Sequence, residues 1–309
     1  MHKDKKHYKS PFLIQYGDMR IPHLPYTKMS GARKKAFDES FKFLFVREPY
    51  GRLFAGYVDK FFSPNAFYWH LIGKYIQNLT RPYENRTVCA HDVTFKEFIK
   101  YVIQSEKDFK NRDRHFSPQY GHCKPCDIKY SFVGKMETFK TDAMYVLDII
   151  NNRSNNAITF SEHFKEESDI ESIKEKTRYW FSDMSTLAKC TPKSEIFLRM
   201  WRNFQIRGII SKKAYFPVSK YEFYRVTGKM FERLALKAYN RFKDNKERKK
   251  NKMEALLEAY SQIDREDMMK LKEIVRPDCD LFGYDSEPEY LFRIDEKSLP
   301  NFKYLDVGY

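Results

Sequence analysis

The stretch KFLFVREPYGRLFAGYVDKFF, residues 42–62, contains the clearest structural pattern of this sequence. It opens with an apolar run that is too short for a helix, which predicts a buried strand over Lys42–Arg47. Pro49 suits the first turn of a helix, where its missing N–H costs nothing. Up to Pro64, apolar side chains then recur at helical spacing and predict a helix that packs by one face: Leu53, Phe54, Tyr57, Val58, Phe61 and Phe62.

Arg47 stands where this predicted strand ends and the helix begins. A helix N-terminus offers free backbone N–H groups and the positive end of the helix dipole, and a guanidinium can bind a phosphate through two hydrogen bonds. The position therefore indicates an anion site. The alternative is a surface arginine paired with Glu48, and the residues alone leave both interpretations open.

A second strand-then-helix unit lies in HFSPQYGHCKPCDIKYSFVGKMETFKTDAMYVLDII, which begins at His115. Tyr130–Met136 has the pattern of a strand, and Thr138 is suited to cap the helix that follows. That helix has one apolar stripe: Phe139, Ala143, Val146, Leu147 and Ile150. Two such units in tandem predict an α/β protein with a parallel sheet.

Two groups in the second unit have side chains capable of chemistry. His115 is a candidate general base that removes a proton from a hydroxyl, and the alternative is a hydrogen-bonded structural histidine. Cys123 and Cys126 are compatible with a redox pair, half of a zinc site with His115 or His122, or disulfide partners. Because they precede a strand and no second pair stands at ligand spacing, we interpret them as structural and predict no metal.

The composition predicts a globular protein that attracts polyanions. The chain has 309 residues, 42% of them hydrophobic, and 57 Lys and Arg against 42 Asp and Glu give a formal charge of +15. Such a surface suits nucleic acid, acidic lipid, anionic glycan or a nucleotide. No apolar run reaches the length of a membrane span or of a signal-peptide core. Five cysteines do not fix the compartment, and sequons at Asn78, Asn85 and Asn152 are weak evidence for a secretory lumen.

The remaining segments have weaker patterns. Residues 30–34 are interpreted as a loop, residues 65–92 as a surface excursion and Phe95–Ile103 as a short amphipathic helix. Residues 191–253 are basic and aromatic, with long helical stretches. The stretch RPDCDLFGYD, residues 276–285, resembles a closing turn.

Three blocks together resemble the Golgi carbohydrate sulfotransferases of the chondroitin and dermatan 4-O-sulfotransferase type. They are FLFVREPYGRLFAGYVDKF, HFSPQYGHCKPCDIKYSFVGKMET and AYSQIDREDMMKLKEIVRPDCDLFGYD. The resemblance implies an α/β, P-loop-like sulfotransferase fold, in which a parallel sheet is flanked by helices, with a largely helical insertion. We accordingly predict a lead-in over residues 1–40, a sulfotransferase domain over 41–285 with a basic insertion at about 191–253, and a tail over 286–309.

The same resemblance implies a function. Members of this family transfer sulfonate from 3′-phosphoadenosine 5′-phosphosulfate to a hydroxyl of a glycan acceptor, here chondroitin or a related anionic chain, in the Golgi lumen or at its membrane. No nucleic acid partner is expected. By resemblance Arg47 would bind the 3′-phosphate, and the rest of the donor-binding segment would be Glu48, Pro49, Tyr50, Gly51, Arg52, Leu53 and Phe54. His115 is our candidate for the base of this reaction.

The chain departs from the family pattern at two places. The family has a serine that adds a hydroxyl to the 3′-phosphate, and here that position is Ala55. The family also has an upstream loop that binds the 5′-phosphosulfate, and residues 1–40 contain no stretch like it. We therefore expect a fragment or a diverged member. The alternative is a catalytically silent protein that binds a polyanion, either glycan or nucleic acid.

Overall fold

The sheet forms where the two strand-then-helix units predict it. In the computed structural model, strand β1 (Phe43–Val46) pairs in parallel with strand β2 (Phe132–Lys135), and the register places Phe43 opposite Phe132 and Val46 opposite Lys135. The predicted parallel sheet is therefore confirmed, although each strand is one or two residues shorter at each end than the sequence suggested. The structure describes residues 28–153, 158–242, 245–295, 297 and 299–307.

Helices make up most of the described chain. In chain order they are α1 (Gly31–Glu39), α2 (Pro49–Tyr57), α3 (Ala66–Tyr68), α4 (Lys74–Thr80), α5 (Phe95–Asp108), α6 (Gln119–Cys123), α7 (Phe139–Arg153), α8 (Phe164–Ser182), α9 (Met184–Leu187), α10 (Lys193–Ile206), α11 (Gly228–Arg241), α12 (Asn245–Tyr260), α13 (Arg265–Phe282) and α14 (Glu289–Phe292). A π-helical turn, Val58–Phe62, continues α2, and another, Trp69–Gly73, joins α3 to α4. Short 3₁₀ turns lie at Tyr83–Asn85, Met136–Thr138 and Lys220–Arg225.

The buried side chains form two hydrophobic clusters. The first joins the aromatic face of α2 to α5, α12 and α13, and its largest fully buried side chains are Tyr50, Phe61, Phe95, Phe98, Tyr101, Tyr260 and Tyr304. The second lies among α8, α10 and α11, with Trp69, Trp180, Phe197, Phe204 and Phe231 fully buried. The apolar residues of the predicted insertion are thus buried together with Trp69 and helix α8, which lie outside it.

Three predictions for the weaker segments are wrong. Residues 30–34 belong largely to helix α1 rather than to a loop. Residues 65–92 are not a surface excursion, since they form α3, the π-helical turn and α4, with Trp69 and Ile76 fully buried. The stretch RPDCDLFGYD is mostly the last turns of α13, and the chain turns only at Gly283, whose φ is +66°. Residues 1–27 of the predicted lead-in lie outside the described residues.

Candidate functional site

The N-terminus of α2 is capped by the residue that precedes Pro49. Glu48 accepts hydrogen bonds from the backbone N–H of Tyr50 at 2.9 Å and of Gly51 at 2.5 Å. Burial raises the pKa of Glu48, and these two hydrogen bonds oppose the rise. The free amides that the sequence analysis assigned to an anion are thus occupied, because the carboxylate at the N-cap reaches the first turn itself. An anion here would have to be held by side chains.

Arg47 offers such a side chain. Its backbone N–H donates to Oε1 of Gln119 at 3.1 Å, which fixes the end of β1. A Cβ added to Gly51 would lie 3.8 Å from both Nε and Nη2 of Arg47, so the guanidinium lies over the start of α2. It makes no ion pair within 4 Å with any residue that the structure describes, Glu48 included. Burial lowers the pKa of Arg47, and the charges of Glu137, Glu48 and Tyr284 oppose that effect.

The three sequence blocks that carry the resemblance meet beside Arg47. The backbone N–H of Glu48 donates to Oε1 of Glu137 at 3.0 Å, and the hydroxyl of Tyr284 donates to the other oxygen of that carboxylate at 2.9 Å. Lys135 donates to the carbonyl of Gly283 at 2.9 Å and lies 4.3 Å from the centroid of the Tyr284 ring. The ends of both strands and the end of α13 are thereby tied together.

Most of the other predicted donor-binding residues serve the core. Pro49, Tyr50, Leu53 and Phe54 are buried, and the Tyr50 hydroxyl donates to the carbonyl of Ser286 at 2.6 Å. Any contact of these four with a ligand would come from their backbone. The apolar stripe that identified the helix is the reason, since the same periodicity that predicts α2 also turns these side chains inward.

Arg52 holds the segment that contains His115. Its Nη1 donates to the carbonyl of Ser117 at 2.8 Å and its Nη2 to the carbonyl of Arg114 at 2.9 Å. Helix α6 is held from the other side, because the carboxylate of Asp278 accepts from the N–H groups of Gln119 at 2.7 Å and Tyr120 at 2.8 Å. Arg52, which the sequence analysis assigned to the donor-binding segment, therefore joins α2 to residues 115–119, the HFSPQ segment.

His115 has an acidic partner that the sequence analysis missed. Its Nδ1 lies 2.6 Å from Oδ1 of Asp113 and 2.9 Å from the hydroxyl of Tyr68. Burial pushes the pKa of Asp113 upward, but the hydrogen bonds from His115 and Tyr68 outweigh it and lower the pKa. An ionised Asp113 that accepts the Nδ1 proton leaves Nε2 as the free acceptor, on a side chain that is 42% exposed. The spacing Asp-x-His is the sequence feature that could have indicated this pair.

The sequence pattern that defines the sulfotransferase family matches residues 3–200. The chain belongs to the sulfotransferase family. The match includes β1, α2, the HFSPQ segment and β2, and it reaches into the predicted lead-in. It ends before residues 254–284, so the family match does not cover the third block of the resemblance.

Curated relatives in this family are named as carbohydrate sulfotransferases. The chain is 36% identical to carbohydrate sulfotransferase 14 of Danio rerio over 109 residues, which is 35% of this chain and 29% of the relative. It is 40% identical to human carbohydrate sulfotransferase 9 over 111 residues, or 35% and 25% of the two chains. Over 152 residues it is 34% identical to mouse carbohydrate sulfotransferase 8, or 48% and 36%. The chain thus spans about a third of these relatives' lengths. No solved structure matches it.

Cys123 and Cys126 are free thiols in this chain. Cys123 is partly buried and Cys126 exposed, and neither is in a disulfide; the one disulfide among the described residues joins Cys89 to Cys190. Burial raises the pKa of Cys123, which makes it a poor nucleophile.

The one group with metal-ligand spacing in the described ranges is His70 with Cys89 and Cys190, and its two sulfurs are bonded to each other. No described helix is long and apolar enough to cross a membrane.

Proposed function

We propose that this chain is a carbohydrate sulfotransferase that transfers sulfonate from 3′-phosphoadenosine 5′-phosphosulfate to a hydroxyl of an anionic glycan. The observation that carries the proposal is the guanidinium of Arg47, which lies at the end of β1 without an ion pair among the described residues, in a chain of this family. The names of the relatives support a carbohydrate acceptor. Chondroitin or a related anionic chain is the acceptor that the sequence blocks favour.

The proposed reaction assigns one role to His115 and Asp113 and another to Arg47. The acceptor oxygen attacks sulfur while the bond from sulfur to the bridging oxygen breaks, and adenosine 3′,5′-bisphosphate leaves. Nε2 of His115 takes the hydroxyl proton, with Asp113 stabilising the imidazolium that forms. Arg47 holds the 3′-phosphate and so fixes the nucleotide against the acceptor. The proposal includes no metal.

A Golgi lumen is the proposed compartment. The Cys89–Cys190 disulfide is typical of an oxidising compartment. The asparagines of the sequons, Asn78, Asn85 and Asn152, are all exposed, as glycosylation would require. Export through the secretory pathway would bring both features together with a glycan acceptor.

Calorimetry with adenosine 3′,5′-bisphosphate tests the donor site. Arg47→Gln should weaken binding tenfold or more, because a hydrogen-bonded charge contributes about 1.5–3 kcal/mol. Arg293→Gln is the matched control, since Arg293 is 80% exposed and lies directly after α14. Equal affinities of the Arg47 variant and the natural chain would refute the assignment.

Incorporation of radiolabelled sulfonate into a panel of glycans tests the activity. We expect transfer to a chondroitin-type acceptor, and its loss in His115→Ala. A chain that binds the bisphosphate and sulfated glycans but transfers no label would favour the silent polyanion-binding protein instead.

A further inference from the structure

Three exposed tyrosines lie within ten residues of sequence between α10 and α11. Tyr215 is 81% exposed, Tyr221 78% and Tyr224 69%. Large aromatic side chains normally bury their apolar area in a core or an interface, so a group of exposed rings indicates a surface that binds another molecule. Two exposed cations, Arg225 and Lys229, lie beside them in the sequence. We call these five residues the tyrosine surface.

The backbone before Tyr215 is fixed by side chains of α10. The carbonyl of Ala214 accepts hydrogen bonds from the indole N–H of Trp201 at 2.6 Å and from Nε2 of Gln205 at 3.0 Å. From Ala214 to Ser219 each buried or half-buried residue is followed by an exposed one, as along an extended chain with one face on the core. Tyr215 is therefore held on the outward side by neighbours that are packed inward.

The other two tyrosines lie along one side of the 3₁₀ turn Lys220–Arg225. Residues three apart in a 3₁₀ helix lie on the same side, about 6 Å apart along the axis, which places Tyr221 next to Tyr224. Phe223 and Val226 are also three apart, and both are buried. The turn is thus attached to the core by one side and exposes its tyrosines on another.

The two segments belong to one surface because their inward rings are stacked. The ring centroids of Phe216 and Phe223 lie 5.6 Å apart, with 23° between the ring planes. Phe197 of α10 packs against both, at 6.4 and 5.8 Å. Tyr215 precedes the first ring of this stack and Tyr224 follows the second. A surface whose aromatic side chains are fixed in this way loses little conformational entropy when a ligand covers it.

The tyrosine surface is positively charged. Residues 211–230 contain five Lys and Arg and one acidic residue, Glu222. The guanidinium of Arg225 lies against the ring of Tyr224, with Cζ 5.2 Å from the ring centroid, and its Nε donates to the Tyr224 hydroxyl at 2.8 Å. Neither Arg225 nor Lys229 makes an ion pair within 4 Å with a residue that the structure describes. Both charges are therefore available to an anionic partner.

Exposed rings and unpaired cations together fit an anionic carbohydrate chain. The apolar faces of sugar rings can pack on tyrosine rings, and the tyrosine hydroxyls can bond to sugar hydroxyls. A guanidinium held in plane by Tyr224 can bind a sulfate or a carboxylate through its two Nη atoms. Single-stranded nucleic acid binds to similar surfaces. The Cys89–Cys190 disulfide favours the carbohydrate, because it is typical of an oxidising compartment on the secretory route.

We propose that the tyrosine surface is a binding site for an anionic carbohydrate chain, the class to which the proposed acceptor belongs. The inference rests on the proposed function for the choice of a carbohydrate, and on the described contacts for the site itself. All five residues lie beyond residues 3–200, so the family match does not include them.

Binding of a labelled, sulfated chondroitin oligosaccharide to variants of the whole chain tests the proposal. The variant with both Tyr221→Ala and Tyr224→Ala should bind about tenfold more weakly, and Tyr215→Ala about three- to tenfold. Arg225→Gln should weaken binding about two- to fivefold, and its binding should depend less on salt. Tyr224→Phe keeps the ring and should weaken binding less than Tyr224→Ala.

Tyr83→Ala is the matched control. Tyr83 is as exposed as Tyr215, and the guanidinium of Arg86 lies 5.9 Å from its ring centroid, but this pair lies in another part of the chain. Its loss should leave the affinity for the oligosaccharide unchanged. An equal loss of affinity in Tyr83→Ala and in the tyrosine-surface variants would overturn the proposal, as would a natural chain that does not bind the oligosaccharide.

A single-stranded oligonucleotide of matched charge tests the choice of carbohydrate. It should bind more weakly than the oligosaccharide, and the tyrosine variants should change its affinity little. If the oligonucleotide binds as tightly and loses as much affinity in the variant with both Tyr221→Ala and Tyr224→Ala, the surface binds polyanions in general and the proposal is wrong.

Melting curves and the bisphosphate separate this site from folding and from the donor site. The tyrosine variants should melt at the natural temperature, because these rings are exposed; a lower melting temperature that accompanies the loss of binding would assign them a structural role and overturn the proposal. If they bind the oligosaccharide normally while Arg47→Gln loses the bisphosphate, this inference is wrong and the proposed function stands. If they lose the oligosaccharide while Arg47→Gln binds the bisphosphate normally, the donor site fails and the tyrosine surface stands.

Discussion

Two arginines near the start of α2 differ in role because of what faces them. Arg52 meets the carbonyls of Ser117 and Arg114 and donates to both. Arg47 meets the helix surface at Gly51 and has no ion-pair partner among the described residues. The sequence was enough to place Arg47 at a strand end. It did not reveal the role of Arg52, because that arginine's partners lie more than sixty residues along the chain.

Asp113 is expected to set the tautomer of His115. The carboxylate accepts the Nδ1 proton and leaves Nε2 as the base, whereas the amide of Asp113→Asn can donate to Nδ1 and reverse this arrangement. We expect the rate of sulfonate transfer to fall about a hundredfold or more. Nitrogen NMR of the histidine ring reports the tautomer of His115 without an activity assay. Exposed Asp127→Asn is the control. An unchanged tautomer in Asp113→Asn would contradict this role.

At the scale of elements, periodicity decided what the sequence could predict. Helix α2 and both strands follow regular patterns and were predicted. The buried segment after Pro64 was not, because the π-helical turn Trp69–Gly73 shifts its apolar residues out of the ordinary helical register. Helix α1 has no buried residue and so gives no apolar stripe. The stretch RPDCDLFGYD was interpreted as a closing turn, yet Val275, Cys279 and Phe282 keep the buried face of α13 continuous.

Helix α2 and the HFSPQ segment are in close contact at Gly56. A Cβ on this glycine would lie 3.0 Å from two carbons of the Phe116 ring and 3.7 Å from the carbonyl oxygen of His115. Phe116 is 3% exposed and packs against the rings of Phe61 and Phe98, so it has little room to move. The site therefore depends on a glycine inside a helix.

Gly56→Ala should destabilise the fold despite the better helix propensity of alanine. Overpacking costs about 1–3 kcal/mol and the propensity returns about 1 kcal/mol, so the net loss is about 1 kcal/mol. Transfer should fall as well, because His115 moves with Phe116. Urea unfolding measures the first effect. Gly121→Ala on α6 is the control, since its Cβ would meet nothing nearer than Arg112 at 3.9 Å and stability should not fall. Higher stability of Gly56→Ala would contradict the contact.

At the scale of the whole molecule, stability should fall as the pH drops from neutral. Burial lowers the pKa of His91, as does the charge of Arg199, and its Nδ1 is buried without a partner among the described residues. In the unfolded chain the pKa of a histidine is about 6.5, so below that pH the unfolded chain binds a proton that the native state does not. Stability is therefore retained above about pH 6.5 and lost as the pH falls through the native value. His122 acts in the same direction.

The change in unfolding free energy between pH 7.5 and 5.0 checks this linkage. His91→Gln should lose less stability over that interval than the natural chain, whereas exposed His163→Gln should lose as much. Equal losses in all three proteins would place the acid sensitivity elsewhere.

The two hydrophobic clusters are joined by side chains that the sequence alone did not pair. Cys89 is buried close to Ala90 and Val93 of the first cluster, while Cys190 packs against the second, and their disulfide spans 101 residues of sequence. Asn203 of α10 donates to the Ser63 hydroxyl, and Nη1 of Arg199 donates to the carbonyl of Phe62 at 3.2 Å. The odd number of cysteines left the pairing undetermined, because the contact depends on how the two cores pack.

Removing this disulfide should reduce the stability of the fold. A closed loop of this length restricts the unfolded chain, so the variant with both Cys89→Ser and Cys190→Ser should lose about 2–5 kcal/mol in denaturant unfolding. The variant with both Cys123→Ser and Cys126→Ser is the control, since these thiols are free and its stability should still fall on reduction. An unchanged unfolding free energy in the variant without the Cys89–Cys190 disulfide would contradict this role.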